Sequence, residues 1–97
     1  MDTAIETRIV RVWGRVQGIG YRWACRVQAR ALGLDGWVRN RMDDSVEALL
    51  QGPPEALDRM AAWMRDEMPA ALVERMEVQA LPPPFARLSG FEQRPTE

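Results

Sequence analysis

Histidine and lysine are both missing from this 97-residue chain, and it holds a single cysteine. Without imidazole, the usual neutral-pH acid–base group and the commonest metal ligand are gone. Without lysine, Schiff-base chemistry and a phosphate-gripping ammonium are excluded. All 13 basic residues are therefore arginine; coding bias accounts for most of them, since alanine, glycine and proline are abundant too. Cys25 alone cannot form an internal disulfide, in keeping with a reducing compartment. No apolar run approaches the ~18 residues of a membrane span. The first residues, with Asp2 and Glu6, do not read as a signal peptide. The expectation is a cytoplasmic monomer of one domain, residues 1–97, that makes no use of a membrane. That length supports one modest core.

Charge is unevenly placed along the chain. Between Arg8 and Arg41 eight arginines face one acid, Asp35, whereas from Met42 onward five arginines face eleven acids. An anionic ligand would be drawn to the first half. Nucleic acid is the weakest anionic candidate, because the whole chain has a formal charge of −1.

Hydrophobic spacing gives the elements. Ile5 to Trp13 is rich in β-branched residues and reads as a strand. Tyr21 to Leu32 repeats apolar residues at helical spacing, with Gly33 as its C-terminal stop. Leu34 to Arg41 reads as a second strand, and Val46 to Gln51 alternates as a third after the polar turn Met42 to Ser45. A second helix is expected from Ala56 to about Met68, with Leu57, Met60, Ala61 and Met64 on one face and Pro69 as its stop. The methionine stripe reads as core packing. Val73 to Ala80 is a fourth strand. After the stiff Pro82-Pro83-Pro84 connector, Gly90 to Arg94 closes as a short strand with Phe91 inward. The order β-α-β-β-α-β plus a terminal strand predicts an α+β, ferredoxin-like sandwich, in which two helices cover one face of an antiparallel sheet. That architecture by itself predicts no activity. RNA-recognition domains share the order but stack bases on aromatics in their central strands, and the third strand here has none.

The segment Gly14-Arg15-Val16-Gln17-Gly18-Ile19-Gly20-Tyr21-Arg22 joins the first strand to the first helix. Its glycines let the backbone approach a ligand, and a helix start offers unpaired amides at the positive end of its dipole. Arg22 adds a planar fork able to hold two phosphate oxygens. The spacing fits neither a P-loop nor a dinucleotide fingerprint. By composition alone it could equally be a glycine-rich turn with a surface arginine. Asn40, at the end of the second strand, could likewise be an ordinary turn former.

The run GRVQGIGYR, followed by the asparagine of LDGWVRN eighteen residues after its arginine, resembles the acylphosphatase family. The likeness spans roughly Val10 to Arg94. It implies a small sandwich that hydrolyses acyl phosphates to a carboxylate and inorganic phosphate, with no cofactor and no metal. On that resemblance, Arg15, Val16, Gln17, Gly18, Ile19, Gly20 and Tyr21 form the phosphate-binding loop. Arg22 is the phosphate-binding arginine and Asn40 positions the attacking water. The alternative is a regulatory module that binds phosphate or another anion on the same loop without turnover. Asp43, Asp44 and Glu47 read as a solvated acidic turn. Asp44 stands where the family commonly has glycine, which puts the geometry of that turn in question. Cys25 is expected on the buried face of the first helix and inert, with no base beside it.

Overall fold

The structure, a computed structural model, describes residues 4–68 and 70–97. Seven elements follow in order: β1 Glu6–Arg15, α1 Tyr21–Ala31, β2 Asp35–Asn40, β3 Val46–Gly52, α2 Pro54–Asp66, β4 Leu72–Leu81 and β5 Phe91–Arg94. The expected type and order hold throughout, and the differences lie at element ends. β1 continues through Gly14 and Arg15 because β4 runs beside it as far as Arg15. α2 begins at Pro54, two residues earlier than the apolar spacing suggests. A proline suits a first turn, where its missing N–H would have had no partner. The stop assigned to Pro69 lies outside the described residues; the helix has already ended at Asp66. In α1 the end is closed from both sides of Gly33: Leu34 N donates to Ala29 O at 2.9 Å and Gly33 N to Arg30 O at 3.1 Å.

The five strands form one sheet in the order β4-β1-β3-β2-β5. β1 is antiparallel to β3 and β4, and β2 is antiparallel to β3. The last strand departs from the antiparallel pattern: β5 lies parallel to β2, so the sheet is mixed at that edge. The reason is connectivity, since the chain must pass from the β4 edge to the opposite edge through residues 82–90. Gln51, whose side chain is buried at the end of β3, holds that crossing. Its amide donates to Ala86 O at 2.8 Å and Thr7 Oγ1 at 3.0 Å, while its oxygen accepts Leu88 N at 2.8 Å.

Alternation places Val10 and Val12 of β1, Val38 of β2 and Val46, Ala48 and Leu50 of β3 on one face. These residues are buried together against Tyr21, Cys25 and Ala29 of α1 and Leu57, Met60 and Met64 of α2. Each valine, leucine or methionine side chain among them contributes about 1.5–3 kcal/mol on removal from water. The methionines are thus core, as their spacing predicts. α1 lies over β2 and β5, and α2 over β1, β3 and β4. Tyr21 joins the helices, its hydroxyl donating to Met64 O at 2.7 Å. Cys25 is fully buried, and that burial pushes its thiol pKa up, away from reactive thiolate.

Candidate active site

The loop between β1 and α1 is built from alternating anchors and free backbone. Val16 is wholly buried and pins the loop to the core, while Gly18 and Gly20 on either side of Ile19 are exposed. Both glycines adopt left-handed backbone, with φ of 77° and 79°. The loop therefore coils upon itself before α1 begins at Tyr21. Gly20 occupies the position before the helix and has no side chain to cap it, and the first turn carries no acid. Ala24 N makes the first intrahelical bond, to Gly20 O at 3.0 Å. Among the described residues the amides of Gln17 to Gly20 have no acceptor within the protein. A short arc of N–H donors at a helix start can cradle an anion.

The seven loop residues do not contribute alike. Arg15 is exposed, Val16 and Tyr21 send their side chains into the core, and Ile19 packs against its edge. What Val16, Ile19 and Tyr21 can offer an anion is main chain. Gln17 alone reaches sideways, its Nε2 donating to Arg41 O at 3.0 Å and Ser45 O at 2.9 Å.

Arg22 lies in the first turn of α1, half-buried, and its Nη1 donates to Arg94 O of β5 at 2.8 Å. Arg94 is in register with Arg39 of β2, one residue before Asn40. Asn40 in turn pairs with Val46, and Val46 with Val12, so one row across the sheet joins Asn40 to the strand that leads into the loop. Asn40 shares the parity of the buried Val38 and so lies on the helix face. Its carbonyl accepts Glu97 N at 3.0 Å. Loop, Arg22 and Asn40 thus all belong to one end of the sheet.

The acidic group near the hairpin divides in two, which corrects its reading as a solvated turn. Asp43 does shape the turn: its carboxylate accepts from Ser45 N at 3.1 Å and from Trp13 Nε1 at 3.3 Å. Asp44 takes φ 71°, the conformation a glycine would have supplied. Glu47 lies outside the turn altogether. It sits in β3 between Arg11 of β1 and Arg39 of β2, its side chain 5% exposed. Arg39 Nε donates to it at 2.9 Å, Arg11 donates to its other oxygen, and Arg41 approaches to 3.5 Å. The tryptophans at positions 13 and 37 belong to this open face too. Arg75 lies 4.3 Å from the Trp13 ring, and Arg39 4.6 Å from that of Trp37.

Burial opposes the Glu47 charge, but the hydrogen bonds from Arg11 and Arg39 outweigh it and hold the carboxyl below its usual range. Glu47→Gln should therefore cost about 2 kcal/mol at neutral pH, less than a fully buried pair because the arginines are partly solvated. A depressed folded pKa stabilises above the unfolded carboxyl value of about 4.3 and ceases to do so as pH falls through the folded value. Thermal melts of wild type and Glu47→Gln should differ at pH 7 and converge as the pH falls through the folded carboxyl's lowered value. A gap independent of pH would mean that shape, and not charge, is what the residue supplies.

Among the described residues, no three of His, Cys, Asp and Glu gather closely enough to hold a metal ion, and no helix is long and apolar enough to cross a membrane.

The model of the acylphosphatase family matches residues 8–93. The chain belongs to the acylphosphatase family. It is 66% identical over 93 residues to Acylphosphatase 1 of Ralstonia nicotianae, covering 96% of this chain and 91% of that one. An acylphosphatase of Polaromonas naphthalenivorans is 51% identical, with 97% and 93% covered. Among solved structures, the crystal structure of acylphosphatase from Bacillus subtilis superposes with a TM-score of 0.84 at 32% identity, over 94% of this chain and 99% of that one.

Proposed function

We propose that the chain hydrolyses acyl phosphates by direct attack of water, with the loop amides and Arg22 holding the phosphoryl group and Asn40 holding the water. The observation that carries this reading is the arc of amides from Gln17 to Gly20, which have no acceptor among the described residues, beside a guanidinium that spends one donor on Arg94 O. Arg22 has five N–H donors, so a two-pronged grip on phosphate remains open to it.

The chemistry suits so sparse a site. In phosphoryl transfer negative charge spreads over the equatorial oxygens, and fixed N–H donors with a guanidinium lower the barrier without a covalent step. The leaving carboxylate has a conjugate acid of pKa about 4 and departs unprotonated. No general acid is needed. A phosphate monoester would leave as a poor alkoxide and calls for an acid, a nucleophile or a metal ion. With neither histidine nor lysine in the chain and Cys25 sealed in the core, the protein is suited to the anhydride. The Asn40 side chain can accept from water with its oxygen and donate with its nitrogen.

Steady release of phosphate from benzoyl phosphate tests the reading, since a chain that only binds anions releases none. Asn40→Ala should lower kcat on the order of 10²-fold while leaving inhibition by inorganic phosphate within about 3-fold of wild type. If phosphate inhibition collapses while turnover of bound substrate persists, the roles of Asn40 and the loop are misassigned.

A further inference from the structure

We propose that Gln17 is a positioning residue, whose side-chain amide fixes the phosphate loop relative to Asn40 and makes no contact with the phosphate. The inference rests on the reading of the loop and Asn40 given above. The resemblance groups Gln17 with the phosphate loop, yet its side chain leaves the loop. Its Nε2 donates to Arg41 O at 3.0 Å and Ser45 O at 2.9 Å, the two carbonyls that bracket the β2–β3 turn.

Those carbonyls sit next to the catalytic strand end. Arg41 follows Asn40 directly, Ser45 precedes Val46, and Asn40 and Val46 are partners in the ladder. The same turn is closed by Arg41 N donating to Ser45 O at 2.8 Å and Asp44 N to Arg41 O at 3.2 Å. One –NH₂ group thus spends both of its hydrogens on the ends of a single turn, and this turn fixes where Asn40 stands.

The loop has little else to locate it on that side. Val16 anchors it inward to the core, and beyond Gln17 both Gly18 and Gly20 are exposed, with open space where side chains would be. Phosphate and water must approach in line, and displacement of either partner by about 1 Å can cost on the order of 10²-fold in rate. A tether from the residue that opens the amide arc to the turn that follows Asn40 controls that spacing. A donor is required at this position. Gln17→Met keeps the length without the donor, and Gln17→Glu presents a carboxylate to two carbonyl oxygens.

The test is a double-variant cycle with benzoyl phosphate. Gln17→Met should lower kcat on the order of 10-fold, with KM and inhibition by inorganic phosphate within about 3-fold of wild type. Gln17→Glu should lose at least as much. In an Asn40→Ala background, Gln17→Met should have little further effect, because the partner it positions is gone. Multiplicative losses in the double variant would overturn the proposal, as would phosphate inhibition that weakens in step with kcat. An independent readout covers the case in which the catalytic reading itself fails. In wild type, phosphate binding at the loop should shift the Asn40 side-chain amide signals in an NMR spectrum, and Gln17→Met should abolish that shift in a chain that still melts cooperatively. An undiminished shift in the variant would refute the tether whatever the turnover.

Discussion

Replacing Arg22 with lysine should lower kcat/KM for benzoyl phosphate by at least ~10²-fold, nearly as far as replacing it with alanine. Charge is retained in the lysine variant, so the loss would isolate geometry. The guanidinium holds a β5 carbonyl with one nitrogen, Nη1 to Arg94 O at 2.8 Å, which fixes the plane of the fork before any ligand arrives. An ammonium is a point charge on a flexible stem and cannot present two parallel N–H groups to a phosphate. It would also be left to choose between Arg94 O and the ligand. Turnover and phosphate inhibition should fall together, in contrast with the split expected for Asn40, because Arg22 touches phosphate in both ground and transition states. Near-normal turnover by Arg22→Lys, with the variant's melt unchanged, would remove the clamp from the mechanism.

Gly36→Ala should abolish folding, although Gly36 touches no substrate. The residue lies in β2 with φ 135°, in register with Leu50 of β3 on one side and Phe91 of β5 on the other. A β-carbon there would stand 1.8 Å from Leu49 O and 2.8 Å from Leu49 C. Both are main-chain atoms, so relief requires β2 to part from β3 in the interior of the sheet. The expected cost exceeds about 4 kcal/mol, a large share of the 5–15 kcal/mol that holds a domain together. Gly18→Ala is the matched control, with φ 77° and nothing within 4 Å of the added carbon. It should lose only about 1–2 kcal/mol from left-handed strain. Circular dichroism and thermal melts of the two variants would decide the matter. A cooperative Gly36→Ala melt within a few degrees of wild type would contradict the steric account.

Much of this architecture is legible in the residues themselves. Tyr21, Cys25 and Ala29 announce a helix by recurring every four positions, and they are its buried stripe. Val46, Ala48 and Leu50 announce β3 by alternation and lie in the core. The three glycines before Tyr21 and the arginine after it fall within one nine-residue segment, so local chemistry suffices to suggest an anion cradle. Pairing is the information that periodicity lacks. Glu47 follows a polar turn and alternates outward, which suggests solvent. Only the register that sets Arg11 and Arg39 on either side of it explains its burial. Gln17 was similarly opaque: its partners are main-chain carbonyls more than twenty residues away, and backbone acceptors carry no sequence signature. The parallel β5 follows from a crossing held by the Gln51 side chain, another contact between distant segments.

The place of β1 in the sheet also has a kinetic consequence. This strand sits between β3 and β4, and Thr7 pairs with Leu81 at the end of β4. No hairpin turn can nucleate that ladder. Chain separation between the partners spans both helices and two strands, so the β1–β4 contacts return stabilisation only after distant segments have met. Chains dominated by such distant pairings fold over roughly milliseconds to seconds, against microseconds to milliseconds for helical bundles. During that interval β1 presents Val10 and Val12 with one flank unpaired. Until β4 arrives, the strand feeding the phosphate loop is open to the wrong neighbour.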